Sequence, residues 1–479
     1  MSDRLWTSQE LEAATGGAAN APFAVSGLSI DTRSLQPGDL FVALKDVRDG
    51  HDFVSAAFEA GASGALVSRP CGGRAELVVD DVQSAIEAIG VAARMRSAAV
   101  RTAVTGSVGK TSVKEMLARM YRAAGPAHWP EKSFNNHWGV PLTLARMPEV
   151  TERAIFEIGM STPGEIAPRS RMVRPHHAMI TRIAPAHLEG VGSIEAVADE
   201  KSDIFAGLEA GGTIILPADD VFLERMTEHA RSYCPTASVE TFGAAREAAA
   251  RVVDYESDGE TSLVSLVVVG RDVKVRLNAL GAHWAVNAAA ALLMASQTGI
   301  SIEDAAEALN GYAPPPGRGV AEMILLPGGG KATLIDDAYN ANPASMRAAL
   351  DGLTRRTGAR RIVALGEMLE IGAGAEAAHR DLASDVEASG AEAAFLAGGL
   401  MQALSEALPG TIQQHWAVKA DDLSADVKNT LRNGDVILIK GSNASGMGRL
   451  ANELRTWSAD TQQVMDSGVE HAAGVDNDL

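Results

Sequence analysis

The decapeptide AVTGSVGKTS (103–112) decides the fold around it. An apolar strand runs into a turn bordered by two glycines, and a helix follows at once. Glycine lets the backbone approach phosphates, while backbone N–H groups and the helix N-terminus bind their charge. The strict pattern GxxxxGK[ST] would place a glycine at Val104, so the match is to a shorter form, T-G-x-x-G-K-T. The residues expected to contact phosphates are Gly106, Ser107, Val108, Gly109, Lys110, Thr111 and Ser112.

The segments around this loop predict a mostly parallel, doubly wound sheet with helices on both faces. Apolar runs at 153–159, 177–183 and 212–217 alternate with helical stretches, which is the pattern of such sheets. Residues 240–280 differ and predict an antiparallel annex, after which a helix over 283–297 closes the unit.

Two further α/β units flank the central one. Residues 1–99 predict a small α/β domain, and residues 100–312 form the central domain. The segment APPPGRG (313–319) is a linker, because three prolines cannot continue a helix. A Rossmann-like domain is expected over 313–458, with strands at 332–337, 360–366, 393–399 and 435–441. The unpatterned residues 459–479 predict a mobile tail.

Composition narrows the function classes. The chain has 479 residues, with 42 Lys and Arg against 61 Asp and Glu, so its formal net charge is −19. Such an acidic chain is a poor nucleic-acid binder, although a small anion remains an acceptable ligand. Two distant cysteines, a polar N-terminus and the absence of long apolar runs favour a cytoplasmic protein without membrane insertion.

The loop alone leaves a GTPase switch, a kinase-like enzyme and an ATP-driven ligase open. The chain lacks an NKxD-type tetrapeptide that would read guanine, which weakens the GTPase interpretation. Glu157 ends an apolar strand, where an acid commonly faces the phosphate crevice. His187 follows the next strand, and Lys201 lies in a helical stretch, where a lysine is usually solvated.

A colinear set of motifs makes the sequence resemble the Mur ligases over about residues 25–450. These motifs include DTRSLQPGDLFVALKDVRDGHDF (31–53), TGSVGKTSVKEML (105–117), NNHWGVPLTL (135–144), FEIGMSTPGEIA (156–167), APAHLEGVGS (184–193), EKSDIF (200–205), DDAYNANPASM (336–346) and KGSNASG (440–446). The carboxyl-terminal motif YNANPAS favours the branch that adds D-alanyl-D-alanine, since the DNPR-like signature of the diaminopimelate- or lysine-adding branch is missing.

The resemblance implies a three-domain ligase. Its first domain would bind the UDP part of a UDP-N-acetylmuramoyl-tripeptide, its second ATP, and its third would bring D-alanyl-D-alanine and close over both. The implied reaction makes a pentapeptide through an acyl phosphate, with release of ADP and phosphate. The implied cofactors are ATP and Mg²⁺ at two sites, and a monomer is the default state.

The family motifs also imply a role for individual residues. Lys110, Glu157, His187 and Lys201 would be catalytic, with Lys201 carbamylated. The implied Mg²⁺ ligands are Thr111, Glu157, His187 and Lys201. Nucleotide contacts would include His283, Asn287, Arg318, Asp337 and Tyr339. Contacts to the other substrates would be Asp31, Thr32, Arg33, Asn135, Asn136 and Asn342.

Three alternatives remain at this point. The nearest is the same chemistry with another amino substrate, such as diaminopimelate or glutamate. A nucleotide-binding switch module would bind nucleotide without making a peptide. A catalytically silent binding protein is disfavoured by Lys110, Glu157, His187 and Lys201 being intact.

Overall fold

The structure is a computed structural model that describes residues 4–186 and 188–473. It contains sheets of two, five, nine and six strands. The three larger sheets use strands within residues 18–78, 100–277 and 320–440, and this arrangement is compatible with the domain boundaries expected from the sequence. The α/β fold class with mostly parallel sheets is confirmed.

The amino-terminal part builds a small sheet in the order β2-β7-β6-β5-β4, in which β4 to β7 run parallel. Its elements are β1 (Trp6–Thr7), α1 (Ser8–Thr15), β2 (Ala18–Ala19), β3 (Ala24–Val25), β4 (Gly27–Ser29), β5 (Asp39–Val42), a 3₁₀ helix (Gly50–Phe53), α2 (Val54–Glu59), β6 (Gly64–Val67), β7 (Glu76–Val78) and α3 (Val82–Arg96).

The central part contains the nine-stranded sheet. Its elements are β8 (Val100–Thr105), α4 (Lys110–Ala124), β9 (Ala127–His128), α5 (Gly139–Ala145), β10 (Arg153–Glu157), α6 (Ile166–Val173), β11 (His177–Ile180), α7 (Leu188–Val191), α8 (Ile194–Ser202), a 3₁₀ helix (Asp203–Gly207), β12 (Thr213–Pro217), α9 (Leu223–Tyr233), β13 (Ser238–Gly243), β14 (Ala250–Ser257), β15 (Ser262–Val268), β16 (Arg271–Leu277), α10 (Ala282–Gln297) and α11 (Ile302–Leu309).

The strand order β16-β15-β14-β13-β12-β11-β8-β10-β9 places β8 at the point where the chain reverses direction across the sheet. From β8 the chain first builds β9 and β10 on one side and then β11 to β13 on the other, all parallel. Ligands bind at such switch points, outside the carboxyl ends of the strands. The loop after β8, the end of β10 and the turn after β11 therefore meet at one crevice.

Helices cover both faces of this sheet, as the sequence predicts. Successive residues of β8 face opposite sides, with Val104 in one core and Ala103 in the other. The first core packs α4, α10 and α11, and the second packs α5, α6, α8 and α9. The annex over 240–280 is also confirmed, because β14, β15 and β16 pair antiparallel.

The carboxyl-terminal part has the strand order β17-β18-β22-β19-β20-β21, parallel except for the edge strand β17. Its elements are β17 (Val320–Leu325), β18 (Lys331–Asp337), α12 (Pro343–Thr354), β19 (Arg361–Gly366), a 3₁₀ helix (Gly372–Gly374), α13 (Ala375–Arg380), α14 (Ala383–Ala388), β20 (Ala391–Ala397), α15 (Met401–Ala407), β21 (Gln413–Ala417), a 3₁₀ helix (Ala420–Leu423), α16 (Ser424–Thr430), β22 (Val436–Lys440), a 3₁₀ helix (Asn443–Ser445) and α17 (Met447–Ala473).

Helix α17 extends into the segment for which the sequence suggests a mobile tail. Its first turns pack Leu450 and Leu454 into the carboxyl-terminal core, and the helix then continues through residues 459–473. Residues 474–479 lie outside the described part of the chain. Among the described helices, none is long and apolar enough to cross a membrane.

Each larger sheet has hydrophobic cores of its own. The central sheet is enclosed by two cores, and the carboxyl-terminal sheet by two others that contain none of the same residues. A further pair belongs to the amino-terminal sheet, one of which also takes in Leu142 and Ala145 of α5. The central and carboxyl-terminal parts therefore meet through surfaces rather than through a shared core.

Candidate active site

One cavity of about 800 Å³ collects most of the residues that the sequence singles out. It lies at the carboxyl ends of β8, β10 and β18, between the central and carboxyl-terminal sheets. The predicted residues that line it are Ser107, Val108, Gly109, Lys110, Thr111, Ser112, Asn135, Asn136, Glu157, Lys201, His283, Asn287, Arg318, Asp337, Tyr339 and Asn342.

The loop of residues 106–112, called the phosphate loop below, joins β8 to α4. It has no room for side chains at its two glycines. Gly106 has a φ of 148°, and a Cβ there would lie 1.9 Å from Thr181 Oγ1. Gly109 has a φ of 87°, and its Cβ would lie 2.9 Å from Asn287 Oδ1. The Thr181 hydroxyl donates a hydrogen bond to the Val108 carbonyl oxygen (2.5 Å). The loop conformation therefore depends on glycine and on support from Thr181, the residue after β11.

The lysine of the loop folds back over it. Lys110 Nζ donates to the Gly106 carbonyl oxygen at 2.6 Å. Burial lowers the pKa of Lys110, with a smaller contribution from Arg318, while the nearby Glu157 carboxylate opposes the shift. An anion bound in the cavity would favour the charged form of this lysine. The lysine and the N-terminus of α4 thus provide positive charge on one wall of the cavity.

A buried carboxylate lies beside the loop. Glu157 ends β10 and is 1% exposed. The Thr111 hydroxyl donates to Glu157 Oε2 at 2.8 Å, and the Asn135 amide donates to Oε1 at 2.9 Å. The Ser133 hydroxyl lies 3.3 Å from Thr111 Oγ1. These oxygen donors are the kind that Mg²⁺ prefers, so the residues present fit a magnesium ion.

Helix α8 contributes a buried lysine to the same cavity. Lys201 is 1% exposed and, among the residues that the structure describes, forms no ion pair. Burial and then the charge of Lys110 hold its pKa well below the usual range, against an opposing effect of Glu200. Glu200 accepts hydrogen bonds from the backbone N–H groups of Glu165 and Ile166 at 2.9 and 3.0 Å. Helix α8 is therefore fixed against the start of α6.

An arginine from the linker contacts the central part. The Arg318 guanidinium carbon lies 4.0 Å from the centroid of the Tyr339 ring, which is a cation–π distance. Its Nη2 donates to Ser133 Oγ at 3.3 Å. Ser133 thus lies between Arg318 and Thr111. The linker therefore brings this guanidinium to Ser133, next to Thr111 at the start of α4.

The carboxyl end of β18 carries a buried ion pair. Lys440 Nζ lies 2.8 Å from Asp337 Oδ2 and donates to the Asn340 carbonyl oxygen at 2.9 Å. Burial raises the pKa of Asp337, while Lys440 and Arg318 lower it. The two residues are partners in the pairing of β18 with β22. The sheet itself therefore places this pair at the edge that faces the cavity.

Two predicted residues of the nucleotide side lie on α10. Asn287 contacts the phosphate loop at Gly109, as described above, and His283 lies one turn earlier. Burial, with Lys440 contributing, lowers the pKa of His283 to about 4. The imidazole is therefore neutral at neutral pH and has one hydrogen-bond donor and one acceptor.

Two further contacts cross the seam, which is the boundary between the central and carboxyl-terminal parts beside the cavity. The Glu189 N–H on α7 donates to the Glu370 carbonyl oxygen at 3.4 Å. The Arg355 guanidinium carbon lies 5.4 Å from the centroid of the Tyr255 ring on β14. Both contacts join the central part to the carboxyl-terminal part. The central and carboxyl-terminal parts are therefore in direct contact in this structure.

Comparison with known proteins identifies the family. Residues 104–295 match the Mur ligase middle domain, and residues 322–443 match the Mur ligase, glutamate ligase domain. The UDP-N-acetylmuramoyl-tripeptide–D-alanyl-D-alanine ligase of Bacillus subtilis (strain 168) is 33% identical over 440 residues, which are 90% of this chain and 93% of that protein. This chain belongs to the Mur ligase family. The ligase of the same name from Escherichia coli (strain K12) is 33% identical to this Mur ligase, and the match covers 94% of this chain and 98% of the relative.

Solved structures agree with this assignment. A crystal structure of MurF from Acinetobacter baumannii superposes on this Mur ligase with a TM-score of 0.81 and 28% identity, over 94% of this chain and 99% of that one. MurF ligase from Thermotoga maritima in complex with ADP shares the fold, with a TM-score of 0.73 at 21% identity over 90% and 97% of the two chains.

Some predicted residues of this Mur ligase lie elsewhere. Asp31, Thr32 and Arg33 follow β4 in the amino-terminal part and do not line the cavity. Hydrogen bonds from the Arg33 side chain and backbone lower the pKa of Asp31 to about 2. Gly106 does not line the cavity and instead packs against Thr181. His187 lies outside the described residues, so the predicted pairing of His187 with Lys201 stays a prediction.

Sequence reasoning missed several polar residues that line the cavity. Ser133, Thr181, Arg182 and Lys440 are among them. Thr181 and Arg182 follow the apolar run of β11, so the rule that pointed to Glu157 at the end of β10 could have found them. Lys440 ends β22 in the same way. Ser133 has no such signal, because it lies in an irregular segment before the two asparagines.

Proposed function

We propose that this chain is the ATP-dependent ligase that adds D-alanyl-D-alanine to a UDP-N-acetylmuramoyl-tripeptide. Relatives of that name match most of this chain, and they do so over nearly their whole length. The observation that carries the proposal is the cavity, in which a phosphate loop, a buried carboxylate and a linker arginine converge. The proposal includes the three domains expected from the sequence, a monomer and a cytoplasmic location.

The chemistry needs activation of a carboxylate. Transfer of the γ-phosphoryl group of ATP to the terminal carboxylate of the tripeptide gives an acyl phosphate and ADP. Attack by the dipeptide amine then forms the amide and releases phosphate and a proton. Both substrates of the first step are anions, so catalysis rests on positioning and on charge stabilisation. Lys110, the N-terminus of α4 and Arg318 provide the positive charge that this requires.

Mg²⁺ would be held by Glu157 and Thr111, with His187 and Lys201 as ligands of a second ion. A bound Mg²⁺ supplies neutralisation of phosphate charge. The role of the chain is to present oxygen ligands in a fixed arrangement, and the hydrogen bonds from Asn135 and Thr111 fix both oxygens of Glu157.

Lys201 is proposed to carry a carbamate. A cation at this position could not bind a metal ion, whereas a carbamate offers anionic oxygen. Burial favours the neutral amine of Lys201, which can add CO₂ to give the carbamate and release a proton. The residue is buried and has no ion-pair partner in the described chain, so a new anion there would not disrupt an existing pair.

Lys201→Ala tests this modification. Activity should fall to background and return in part when a short carboxylate such as acetate or propionate is supplied, because the carboxylate replaces the missing oxygen ligand. A direct check is ¹³C NMR of the wild-type protein equilibrated with labelled bicarbonate. Fully active protein without a carbamate signal would contradict the assignment.

The proposed function is tested with a panel of amino substrates. ATP, Mg²⁺ and a UDP-N-acetylmuramoyl-tripeptide are supplied with D-alanyl-D-alanine, diaminopimelate, lysine or glutamate, and both ADP and ligated product are measured. The expected result is ligated product with D-alanyl-D-alanine and with none of the other amino substrates. Product with another amine would identify a different branch of the same chemistry. Nucleotide binding without any product would indicate a switch module and overturn the proposal.

Tripeptides that differ in their third residue, diaminopimelate or lysine, should be compared in the same assay. Their kcat/KM values will show which acceptor the chain prefers. A Lys110→Met protein serves as the control, because methionine is also an unbranched side chain but lacks the charge at the phosphate loop. Any ADP that this control releases measures background hydrolysis rather than ligation.

A further inference from the structure

Lys440 is a buried charge at the cavity for which the reaction above has no use. It ends β22, is 2% exposed and lines the same cavity as the phosphate loop. A lysine at such a place either contacts the substrate or holds another residue in position. The hydrogen bonds of its ammonium group decide between these two roles.

The ammonium group is fully engaged within the protein. It lies 2.8 Å from Asp337 Oδ2, 2.9 Å from the Asn340 carbonyl oxygen and 3.4 Å from the Asp337 carbonyl oxygen. An ammonium group has three donors, and three acceptors surround it. No donor is left for a bound nucleotide, so Lys440 acts through its neighbours.

These acceptors belong to one turn, residues 337–342, which leads from β18 into α12. Within this turn the Tyr339 N–H donates to the Gly317 carbonyl oxygen at 3.0 Å, and the Tyr339 ring lies against Arg318. Asn342 ends the turn as the N-cap of α12, since its side chain accepts from the Ser345 N–H at 2.9 Å. Lys440 therefore fixes the start of a segment that supports both the linker arginine and α12.

The ion pair also determines the charge that faces the cavity. Asp337 Oδ2 binds Lys440, whereas Oδ1 has no hydrogen-bond partner among the described residues and is open to a ligand. Burial and the neighbouring Asp336 on β18 raise the pKa of Asp337, and Lys440 and Arg318 lower it. The charge of Lys440 also adds to burial in lowering the pKa of His283 on α10, so this imidazole is neutral at neutral pH.

We infer that Lys440 is a positioning residue for the nucleotide, because its ammonium group pairs with Asp337 Oδ2 and holds the carboxylate in place with the other oxygen free for the hydroxyl groups of a bound nucleotide. This inference rests on the proposed ATP-dependent function. It concerns nucleotide binding, which can be measured with ADP alone and without ligation.

The test compares ADP binding by calorimetry from about pH 5 to about pH 8 in wild-type protein, Lys440→Met and Lys440→Arg. Loss of the ammonium should weaken ADP binding about tenfold at pH 7, since a charge-assisted contact of Asp337 is lost. Without the ammonium group the pKa of Asp337 should rise, so its carboxylate becomes protonated at a higher pH. As the pH is lowered, ADP affinity in Lys440→Met should therefore begin to fall about one pH unit above the pH at which it falls in the wild type. Lys440→Arg should restore most of the affinity.

Arg360→Met provides a matched control. Arg360 forms an ion pair at 2.6 Å with the buried Asp435, which directly precedes β22, and neither residue lines the cavity. This variant should lower the melting temperature as Lys440→Met does, but leave ADP affinity and its pH dependence unchanged. If Lys440→Met only lowers the melting temperature, as the control does, the inference is wrong.

Two further outcomes are informative. If Lys440→Met does not fold, Lys440→Gln and the double variant Lys440→Met/Asp337→Asn replace it, and both should bind ADP more weakly than Lys440→Arg. Equal ADP affinity in all these variants would contradict the role of Lys440. A wild-type protein that binds ADP but makes no peptide would contradict the proposed function and leave the comparison among the lysine variants valid.

Discussion

The two walls of the cavity are built by different means. On the central wall, the phosphate loop takes its shape from its backbone, because its two glycines lie against Thr181 and Asn287 and its Val108 carbonyl oxygen accepts a hydrogen bond from Thr181. The carboxyl-terminal wall carries charged side chains, in which Lys440 pairs with Asp337 and Arg318 lies against Tyr339. The comparison shows that the shape of the loop depends on space, whereas the arrangement of the carboxyl-terminal wall depends on charge. Substitutions should therefore affect them in different ways.

Lys110→Met should have the largest effect. It removes the charge nearest to the phosphate loop, so kcat should fall by about a thousandfold, while the fold is preserved. Stopped assays of ADP and peptide formation check this. Lys132→Met is the control, since Lys132 lies in the neighbouring irregular segment and does not line the cavity. A similar loss in both variants would contradict a specific role for Lys110.

Gly106→Ala should break the central wall without changing any charge. The new Cβ would lie 1.9 Å from Thr181 Oγ1, so the loop must shift, and ADP binding should weaken by about a hundredfold. Gly270→Ala is the control for backbone strain without a clash. Gly270 also has a positive φ, 75°, but no atom lies within 4 Å of the position that its Cβ would take. Equal ADP affinity in Gly106→Ala and the wild type would show that the loop tolerates a side chain.

Arg318→Lys should act on the charged wall with an intermediate effect. The charge remains, but the planar stacking on Tyr339 and the directed hydrogen bond to Ser133 are lost. The KM for ATP should rise about tenfold, with a smaller change in the KM for the tripeptide substrate. Initial-rate kinetics with each substrate varied in turn measure this. If only the KM for the tripeptide substrate changes, Arg318 does not act on the nucleotide.

Arg33→Ala should have the smallest effect and extends the comparison to the amino-terminal part. Its ion pair with Asp31 is exposed, and such pairs contribute little. We expect the KM for the UDP-linked substrate to rise about threefold at constant KM for ATP, because Asp31 would no longer be held in place. The control Arg4→Ala removes another exposed arginine from the same part of the chain. Equal KM values in both variants would exclude a role for this loop.

Sequence reasoning predicted the central wall more completely than the charged one. The loop glycines, the strand before Lys110 and the acid at Glu157 carry local signals, and Gly109, Lys110 and Glu157 line the cavity, although Gly106 does not. Lys440 lies about a hundred residues from Asp337 in the chain, and only the pairing of β18 with β22 brings them together. A local pattern cannot reveal such a pair, because it depends on strand order.

The carboxyl-terminal helix shows a different limit of local patterns. The residues after Ser458 have little apolar periodicity, so they predict a mobile tail. In the structure they extend a helix whose first turns are anchored by Leu450 and Leu454 in the core. A helix that is already nucleated adds residues at low cost, and no proline interrupts this segment. The packed first half of α17 thus explains what the tail sequence alone does not.

The separate cores on either side of the cavity have a consequence for how the protein loses activity. Each sheet keeps its own hydrophobic interior, so the parts can remain folded when the seam between them loosens. The contacts across that seam include the hydrogen bond between Glu189 and Glu370 and the contact of Arg355 with the Tyr255 ring. Mild denaturant should therefore stop turnover at concentrations that leave the helical circular dichroism signal intact.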